Sequence, residues 1–232
     1  MSDKVATNYL NAYLERHPTR KYKKGEIIIF QGEAPRHAFA IKSGTIKAYN
    51  LSVNGDEKPV AFYQNGSLFP SNWIFNRTPS AVYYFEAFTP SVEVYLLEKD
   101  SLLSFIKKSP ELIYQELEKL LTDQLGASIR LNALQHSKAS DKLIYTMHYL
   151  ALTHGKIQKD GIIEIDLELT HQDFANLTGL TRETAATELN KLKKQNIIDY
   201  GKSKPYTLNL KKLTQILNDQ FISDIELTTL RS

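Results

Sequence analysis

Residues 170–198, THQDFANLTGLTRETAATELNKLKKQNII, constrain the fold more than any other stretch of this chain. The pattern predicts two short helices joined by a tight turn at Gly179, because glycine tolerates a positive φ. Thr170, with Asp173 three residues later, forms a capping pattern for the first helix, and Thr181 can cap the second. A helix-turn-helix is therefore the first element that the sequence predicts.

The second predicted helix has an apolar face and a polar face. Ala185, Leu189 and Leu192 follow the i, i+4, i+7 spacing of residues that pack inward together. Polar or charged side chains recur at a similar spacing on the opposite face, and they are Glu183, Thr187, Asn190 and Lys194. Such a helix can lie in a DNA major groove, although a helical hairpin with a solvated face has the same pattern.

Basic charge is concentrated on and just after this second helix. The whole chain carries a net charge of +3, but residues 182–212 hold eight Lys or Arg against three Asp or Glu, a net charge of +5. Lysine and arginine neutralise phosphates and release counterions, so this cluster is typical of a DNA-contacting surface. Its position favours that function over an ordinary solvated face.

The absence of cysteine excludes several classes of site. Disulfides, thiolate zinc sites, cysteine nucleophiles and ordinary iron–sulfur clusters all require it. The six histidines are scattered without metal-ligand spacing, so we predict no metal site, no cofactor and no catalytic residue. The polar N-terminus and the lack of an apolar run of roughly 20 residues predict a cytoplasmic protein without a membrane partner.

Residues 22–99 have a different sequence pattern, in which short apolar runs alternate with turns that contain glycine. Runs of this length and spacing predict an antiparallel barrel or sandwich. Asn54-Gly55 between two runs predicts a hairpin, and residues 3–16 predict a short amphipathic helix before the strands. A dimeric cupin-like barrel enzyme is an alternative, but the chain lacks the clustered His and carboxylate ligands that such an enzyme needs.

A long helix is predicted over 110–137, and it carries an apolar seam. The seam residues step by four and three over about three heptads, as in a coiled coil. They are Ile113, Leu117, Leu120, Gln124, Ala127, Leu131 and Leu134. The partner of this seam is either a helix of the same chain or a second copy, and we prefer a parallel homodimer. The polar Gln124 can set the register of the pair.

The remaining sequence predicts a wing and completes an α+β fold class. IIDY, a GKSKP turn and YTLNL form a predicted hairpin directly after the second helix. The other predicted elements are a hinge or helix cap over 137–141, a helix over 141–153, a strand over 161–169 and a helix over 211–227. The predicted domains are a barrel over 1–109, a dimerisation helix over 110–137 and a winged helix-turn-helix over 138–232.

A glycine-punctuated barrel, a long helix and a winged helix-turn-helix, in that order, resemble the Crp–Fnr family of bacterial transcription regulators. The strongest match is TRETAATELNKLKKQNII, and the supporting matches at barrel turns are Gly25, Gly32, Gly44 and Gly66. The resemblance implies a jelly-roll barrel of the cyclic-nucleotide-binding type. It also implies a homodimer whose two recognition helices bind successive major grooves of a near-palindrome in double-stranded DNA. RNA polymerase is a further implied partner if the regulator is an activator.

The resemblance assigns roles to individual residues. Arg182 and Glu183 match the family's base-reading pair, since Arg suits guanine O6 and N7 and Glu can accept from cytosine N4. Thr187 stands where the family's best-known pattern has a basic residue. The full set predicted to contact DNA is Thr170, His171, Gln172, Thr181, Arg182, Glu183, Thr184, Thr187, Asn190, Lys191, Lys194, Lys202 and Lys204. A ligand-sensing or adaptor protein that has lost DNA binding is the alternative function.

The sequence of the effector segment differs from that of the family members that bind cyclic nucleotides. Those members carry a G-E-L segment, whose Glu holds the ribose hydroxyl, and an R-S-A segment, whose Arg pairs with the phosphate. In this chain Pro70 and Ser71 stand in place of Gly-Glu, and Pro79 stands in place of the Arg. A buried cyclic phosphate would lack its charge-assisted partner, so we expect no control by cyclic AMP. Arg77 could replace that Arg only if the loop shifts.

Aromatic residues are frequent around this segment. They suggest core packing, an apolar or aromatic effector, or a filled pocket without an effector. The residues assigned to the predicted pocket are Phe62, Phe69, Ser71, Trp73, Arg77, Ser80 and Tyr83.

Overall fold

A computed structural model describes residues 10–201 and 204–217 of the chain, with Lys204 and Leu217 described by backbone alone. The chain divides into two compact units, Met1–Glu118 and Lys119–Ser232. The predicted helices over 3–16 and 211–227 extend beyond the described residues. The parts of them that are described are helical at 10–14 (α1) and at Leu210–Leu217.

The first unit contains eight strands, as the glycine-punctuated runs predict. They are β1 (Thr19–Lys23), β2 (Ile27–Ile29), β3 (Ala38–Ser43), β4 (Ile46–Leu51), β5 (Glu57–Tyr63), β6 (Leu68–Phe69), β7 (Tyr84–Ala87) and β8 (Ser91–Leu97). The strands form two antiparallel four-stranded sheets, ordered β1-β8-β3-β6 and β2-β7-β4-β5. Two further helices of this unit are α2 (Ser71–Ile74) and α3 (Lys99–Lys107).

The two sheets share one apolar core, which contains fully buried Phe69 and Phe85. The first sheet also has a second buried face, where Ala38 and Ala40 pack with residues of the three helices. This double burial explains why the run Ala38–Ile41 is apolar at every position instead of alternating. The predicted antiparallel β fold of this unit is confirmed, and its layers are sheet, sheet and helices.

One buried charge was not predicted from the sequence. The Lys47 side chain on β4 is only 6% exposed, and its Nζ lies 2.5 Å from a Glu57 oxygen and 3.4 Å from a Glu86 oxygen. It also lies 4.7 Å from the centre of the Tyr49 ring. Burial of a charged group is costly unless it is paired, and two carboxylates from the neighbouring strands supply that pairing.

The second unit continues from a helix that begins in the first. Its elements are α4 (Pro110–Gln135), α5 (Ala139–His154), β9 (Gly155–Ile157), a 3₁₀ turn (Lys159–Gly161), β10 (Ile162–Ile165), α6 (His171–Thr178), α7 (Arg182–Lys194), β11 (Ile198–Gly201), β12 (Lys204–Asn209) and α8 (Leu210–Leu217). Strands β11, β12, β10 and β9 form one antiparallel sheet in that order. The predicted hairpin after the second helix is present as β11 and β12.

Two predicted boundaries are wrong. The hinge or cap predicted over 137–141 is shorter, because residues 139–141 already form the first turn of α5. Asp141 lies in this first turn, where the helix dipole favours an acidic side chain. The strand predicted over 161–169 ends at Ile165, where the backbone N–H of Asp166 instead donates to the His154 carbonyl at 2.8 Å. Leu167 and Leu169 are still buried, so their apolar alternation reflects burial without a strand.

No helix within residues 10–201 and 204–217 is both long and apolar enough to cross a membrane. The same described residues contain no group of three His, Asp or Glu side chains that could hold a metal ion.

Gly44 and Gly55 occupy turns with nearly equal positive φ, +85° and +86°. A Cβ at Gly44 would lie 2.5 Å from the Ser91 carbonyl oxygen and 2.8 Å from the Thr89 hydroxyl, whereas a Cβ at Gly55 would meet nothing within 4 Å. Alanine substitution at Gly55 therefore tests the cost of backbone conformation alone, whereas substitution at Gly44 adds the cost of close packing. Gly55 lies in the hairpin between β4 and β5, which confirms the turn predicted at Asn54-Gly55.

We expect Gly55→Ala to lower the free energy of unfolding by about 1–2 kcal/mol, which is the cost of a left-handed residue. Gly44→Ala should cost about 1–3 kcal/mol more, because its added methyl group also overlaps backbone. Urea unfolding of the two variants, followed by a spectroscopic probe of the first unit, gives the comparison. Equal losses would contradict the packing argument.

Candidate nucleic-acid interface and effector pocket

The first helix of the predicted helix-turn-helix, α6, is capped as the sequence predicts. The Asp173 backbone N–H donates to the Thr170 hydroxyl at 3.2 Å, and the Thr170 backbone N–H donates to the Asp173 carboxylate at 2.7 Å. This reciprocal pair is a capping box. Gly179 ends the helix with a φ of 67°, in the left-handed region. The tight turn between the two helices is confirmed.

The second helix, α7, is fixed by a cap and a buried face. The Thr184 backbone N–H donates to the Thr181 hydroxyl at 3.2 Å. Ala185, Leu189 and Leu192 are buried, as their spacing predicts. Because a helix is rigid, burying this face determines which side chains point outward.

The outward side of α7 is defined as the recognition face and consists of Arg182, Glu183, Thr187, Asn190, Lys191 and Lys194, all exposed. Of the other residues predicted to contact DNA, Thr170, Gln172 and Thr181 are also exposed, while His171 and Thr184 are half-buried. Lys202 lies outside the described residues, and only the backbone of Lys204 is described. The predicted α6 and α7 residues therefore lie at the start of α6 and along the whole exposed side of α7.

Some of these polar groups already have partners inside the protein. The Thr184 and Thr181 hydroxyls lie 2.9 Å apart, and the Thr187 hydroxyl donates to the Glu183 carbonyl at 2.9 Å. The Lys191 ammonium donates to Glu188 at 2.6 Å. No such ion pair forms on Arg182 within the described ranges. Its guanidinium is therefore available to an external acceptor.

His171 begins α6 and lies close enough to Arg182 to interact with its charge. Burial, together with that positive charge, lowers the pKa of His171 below its ordinary value. The imidazole is therefore neutral at pH 7. It can offer one ring N–H to a phosphate oxygen at the start of α6, where backbone N–H groups also point outward.

Tyr200 on the wing strand β11 belongs to this surface but was not predicted from the sequence. Its hydroxyl donates to Asn190 Oδ1 at 2.9 Å. Its ring lies edge-on to His171 at 5.5 Å and stacks on Tyr206 at 4.8 Å, measured between ring centres. Two aromatic residues on opposite strands of a predicted hairpin were the only sequence signal for this contact.

The predicted effector segment surrounds a very small cavity. Ser71, Trp73, Ser80 and Tyr83 line it, together with Tyr63. Its volume is about 10 Å³, which is roughly the space that one water molecule needs. A nucleotide does not fit into this cavity unless the surrounding residues move.

The other three residues assigned to the predicted pocket do not line this cavity. Phe69 is fully buried in the core, with its ring centre 5.4 Å from that of Phe85. Phe62 packs against Phe88 at 5.0 Å between ring centres. Arg77 is exposed, and its Nε donates to the Phe75 carbonyl at 3.2 Å. None of the residues that line this cavity in the described part of the chain is an arginine.

The seam residues of α4 form an exposed apolar stripe, a term used here for Ile113, Leu117, Leu120, Gln124, Ala127, Leu131 and Leu134. Its Leu and Ile side chains are 41–62% exposed. The other side of the same helix is buried, at Leu112, Ile129 and Ala133. The helix thus has one face packed in the chain and one apolar face open.

Comparison with known proteins gives two family matches. The cyclic nucleotide-binding domain matches residues 19–109, and the Crp-like helix-turn-helix domain matches residues 142–216. The HTH-type transcriptional regulator ArcR of Staphylococcus epidermidis is 30% identical over 183 residues, covering 77% of each chain. The global nitrogen regulator of Synechococcus elongatus is 26% identical, covering 84% of this chain and 87% of its own.

A solved structure shows the same fold. The cyclic nucleotide-binding domain containing protein from Listeria monocytogenes superposes with a TM-score of 0.72. The superposition covers 89% of this chain and 98% of the other, at 16% sequence identity.

Proposed function

Because this chain belongs to the Crp–Fnr family of transcription regulators, we propose that it binds a near-palindromic operator as a homodimer, without control by cyclic AMP. The relatives and the matched helix-turn-helix domain make it a DNA-binding transcription regulator and not an enzyme. The observation that carries the proposal is the geometry of α7. The helix is capped at Thr181, its apolar face is buried, and its recognition face is polar and exposed.

The two ends of the recognition face suit different parts of DNA. Arg182 and Glu183 lie in the first turn of α7, and their side chains can reach base edges when that end enters a major groove. Arg pairs with guanine O6 and N7, and Glu accepts from cytosine N4. Lys194 lies in the last turn as an exposed ammonium, which suits a phosphate.

The homodimer is supported by the exposed apolar stripe of α4. Several large apolar side chains lie on one side of a helix of 26 residues, and leaving them in water is unfavourable. A second copy offers the same stripe and forms a symmetric coiled coil. Two recognition helices related by this symmetry match a near-palindrome with half-sites about one helical turn apart.

Independence from cyclic AMP is supported by the cavity of the first unit. The match to a cyclic nucleotide-binding domain describes the fold of residues 19–109. The cavity beside Ser71 and Ser80 has no room for a nucleotide, and Arg77 does not line it but donates to the Phe75 carbonyl. An anionic ligand without a charged partner would lose its main source of affinity. RNA polymerase remains a proposed partner for the case that the regulator is an activator.

The operator proposal is tested by selecting random-sequence DNA with the purified protein, without added ligand and at fixed salt. We expect a palindrome with half-sites about one turn apart. Failure to enrich any sequence would contradict the proposal for the unliganded protein. The adaptor function would then be favoured if addition of cell extract metabolites also failed to restore enrichment.

We expect Arg182→Ala to cost about 1–3 kcal/mol at one base position and to relax the preference there, because a base contact is removed. Lys194→Ala should weaken all sequences alike and lower the slope of log affinity against log salt by about one. Lys107→Ala, on an exposed lysine of α3, is the control for lost charge. An unchanged binding profile in both variants would contradict docking of α7 in the groove.

Leu131→Glu should shift the dimer to monomer, because a carboxylate would be buried without a partner in the seam. Leu131 is 61% exposed in the single chain, so the fold of the monomer should not suffer. Asn132→Glu places the same charge one residue away, outside the stripe, and should leave the dimer intact. Sedimentation at several concentrations measures both, and equal dissociation constants for the two variants would rule out this seam.

Cyclic AMP should not change the thermal unfolding temperature of the protein at millimolar concentration. A ligand at about 100 times its Kd adds roughly 2.7 kcal/mol of stability, which is easily measured. Cyclic GMP and AMP are suitable controls for general nucleotide effects. A clear upward shift with cyclic AMP alone would show that the pocket opens for it, contrary to the proposal.

A further inference from the structure

Tyr200 is held in one position by contacts on several sides. Its ring stacks on Tyr206 of the neighbouring wing strand and meets the edge of His171. The Lys193 ammonium lies 4.7 Å from its ring centre, donates to the Tyr200 carbonyl and pairs with Asp199 at 2.9 Å. A side chain fixed in this way has lost its rotamer freedom before DNA arrives, so its hydroxyl can direct another group.

The group that Tyr200 directs is the amide of Asn190 in the recognition face. The Tyr200 hydroxyl donates to Asn190 Oδ1 at 2.9 Å, so the amide oxygen is turned towards the wing. Burial raises the pKa of Tyr200, although Lys193 opposes this effect, so the hydroxyl stays protonated and remains a donor. The amide NH₂ of Asn190 is then the end that is left for an external partner.

We propose that Tyr200 is a positioning residue that presents Asn190 to DNA as a hydrogen-bond donor, and so sets a preference for guanine at one pair of symmetric operator positions. An unrestrained Asn pairs with adenine by donating to N7 and accepting from N6. An Asn whose oxygen is turned towards the wing and already accepts from Tyr200 is poorly oriented to accept from adenine N6 as well. It favours the edge of guanine, where N7 and O6 are both acceptors.

This inference rests on the proposed operator binding through α7. It differs from a purely structural role of Tyr200, in which the wing is stabilised by packing and base preference is unaffected. Tyr206 provides the comparison, because Tyr206→Phe removes a hydroxyl from the same aromatic stack without touching Asn190. The packing role affects stability in both variants, whereas the positioning role affects base preference only in Tyr200→Phe.

The experiment compares selected DNA sequences for the wild-type protein, Tyr200→Phe, Asn190→Ala, the double variant and Tyr206→Phe. We expect Tyr200→Phe and Asn190→Ala to reduce the guanine preference at the same position by roughly three- to tenfold, the effect of one hydrogen bond. The double variant should be no worse than Asn190→Ala, since the two residues act as one unit. The salt slope should be unchanged in Tyr200→Phe, because no phosphate contact is lost.

Asn190→Asp gives a second test that does not depend on how Tyr200→Phe folds, because Asn190 is exposed. A carboxylate can accept from Tyr200 with one oxygen and from cytosine N4 with the other, so the preference at that position should change from guanine to cytosine. An unchanged preference in Tyr200→Phe, additive losses in the double variant, or an equal change in Tyr206→Phe would overturn the inference. A wild-type protein that selects no sequence would overturn the operator proposal itself, and this inference with it.

Discussion

The packing of one face of α7 against the rest of its unit is the constraint on which the proposed function depends. Ala185, Leu189 and Leu192 are buried, so rotation of the helix about its axis would expose apolar surface and bury charge. The caps at Thr181 and Thr170 then fix where the helices begin. With rotation and start both determined, the recognition face is presented in one orientation before DNA binds.

The features that could be predicted from the sequence are those that local chemistry decides. The capping box at Thr170 and Asp173 lies within four residues, and the buried face of α7 follows from helical spacing alone. The early end of β10 could not be predicted, because pairing between strands is a contact between residues distant in sequence. Leu167 and Leu169 continue the alternation and are buried, but the ladders of β10 with β12 and β9 end at Glu164 and Ile165.

The site details that were missed depend on contacts between distant residues. Tyr200 lies at a register shift of the wing hairpin, between Asp199 and Gly201, and its hydroxyl reaches Asn190 on α7. Sequence spacing gives no information on such a shift. In the first unit, aromatic richness suggested a pocket, but whether Phe69 fills the interior or lines a cavity is decided by packing against Phe85. Composition cannot distinguish those two outcomes.

The helix that carries the apolar stripe and the helix that carries the recognition face share α5 as a common neighbour. Gly126 of α4 lies so close to α5 that an added Cβ would be 2.7 Å from Thr153 and 3.1 Å from Tyr149. On its other sides, α5 contacts both α6 and α7. In the proposed dimer, the separation of the two recognition faces would depend on these contacts. Glycine at 126 permits the close approach of α4 to α5, although it lies outside both the apolar stripe and the recognition face.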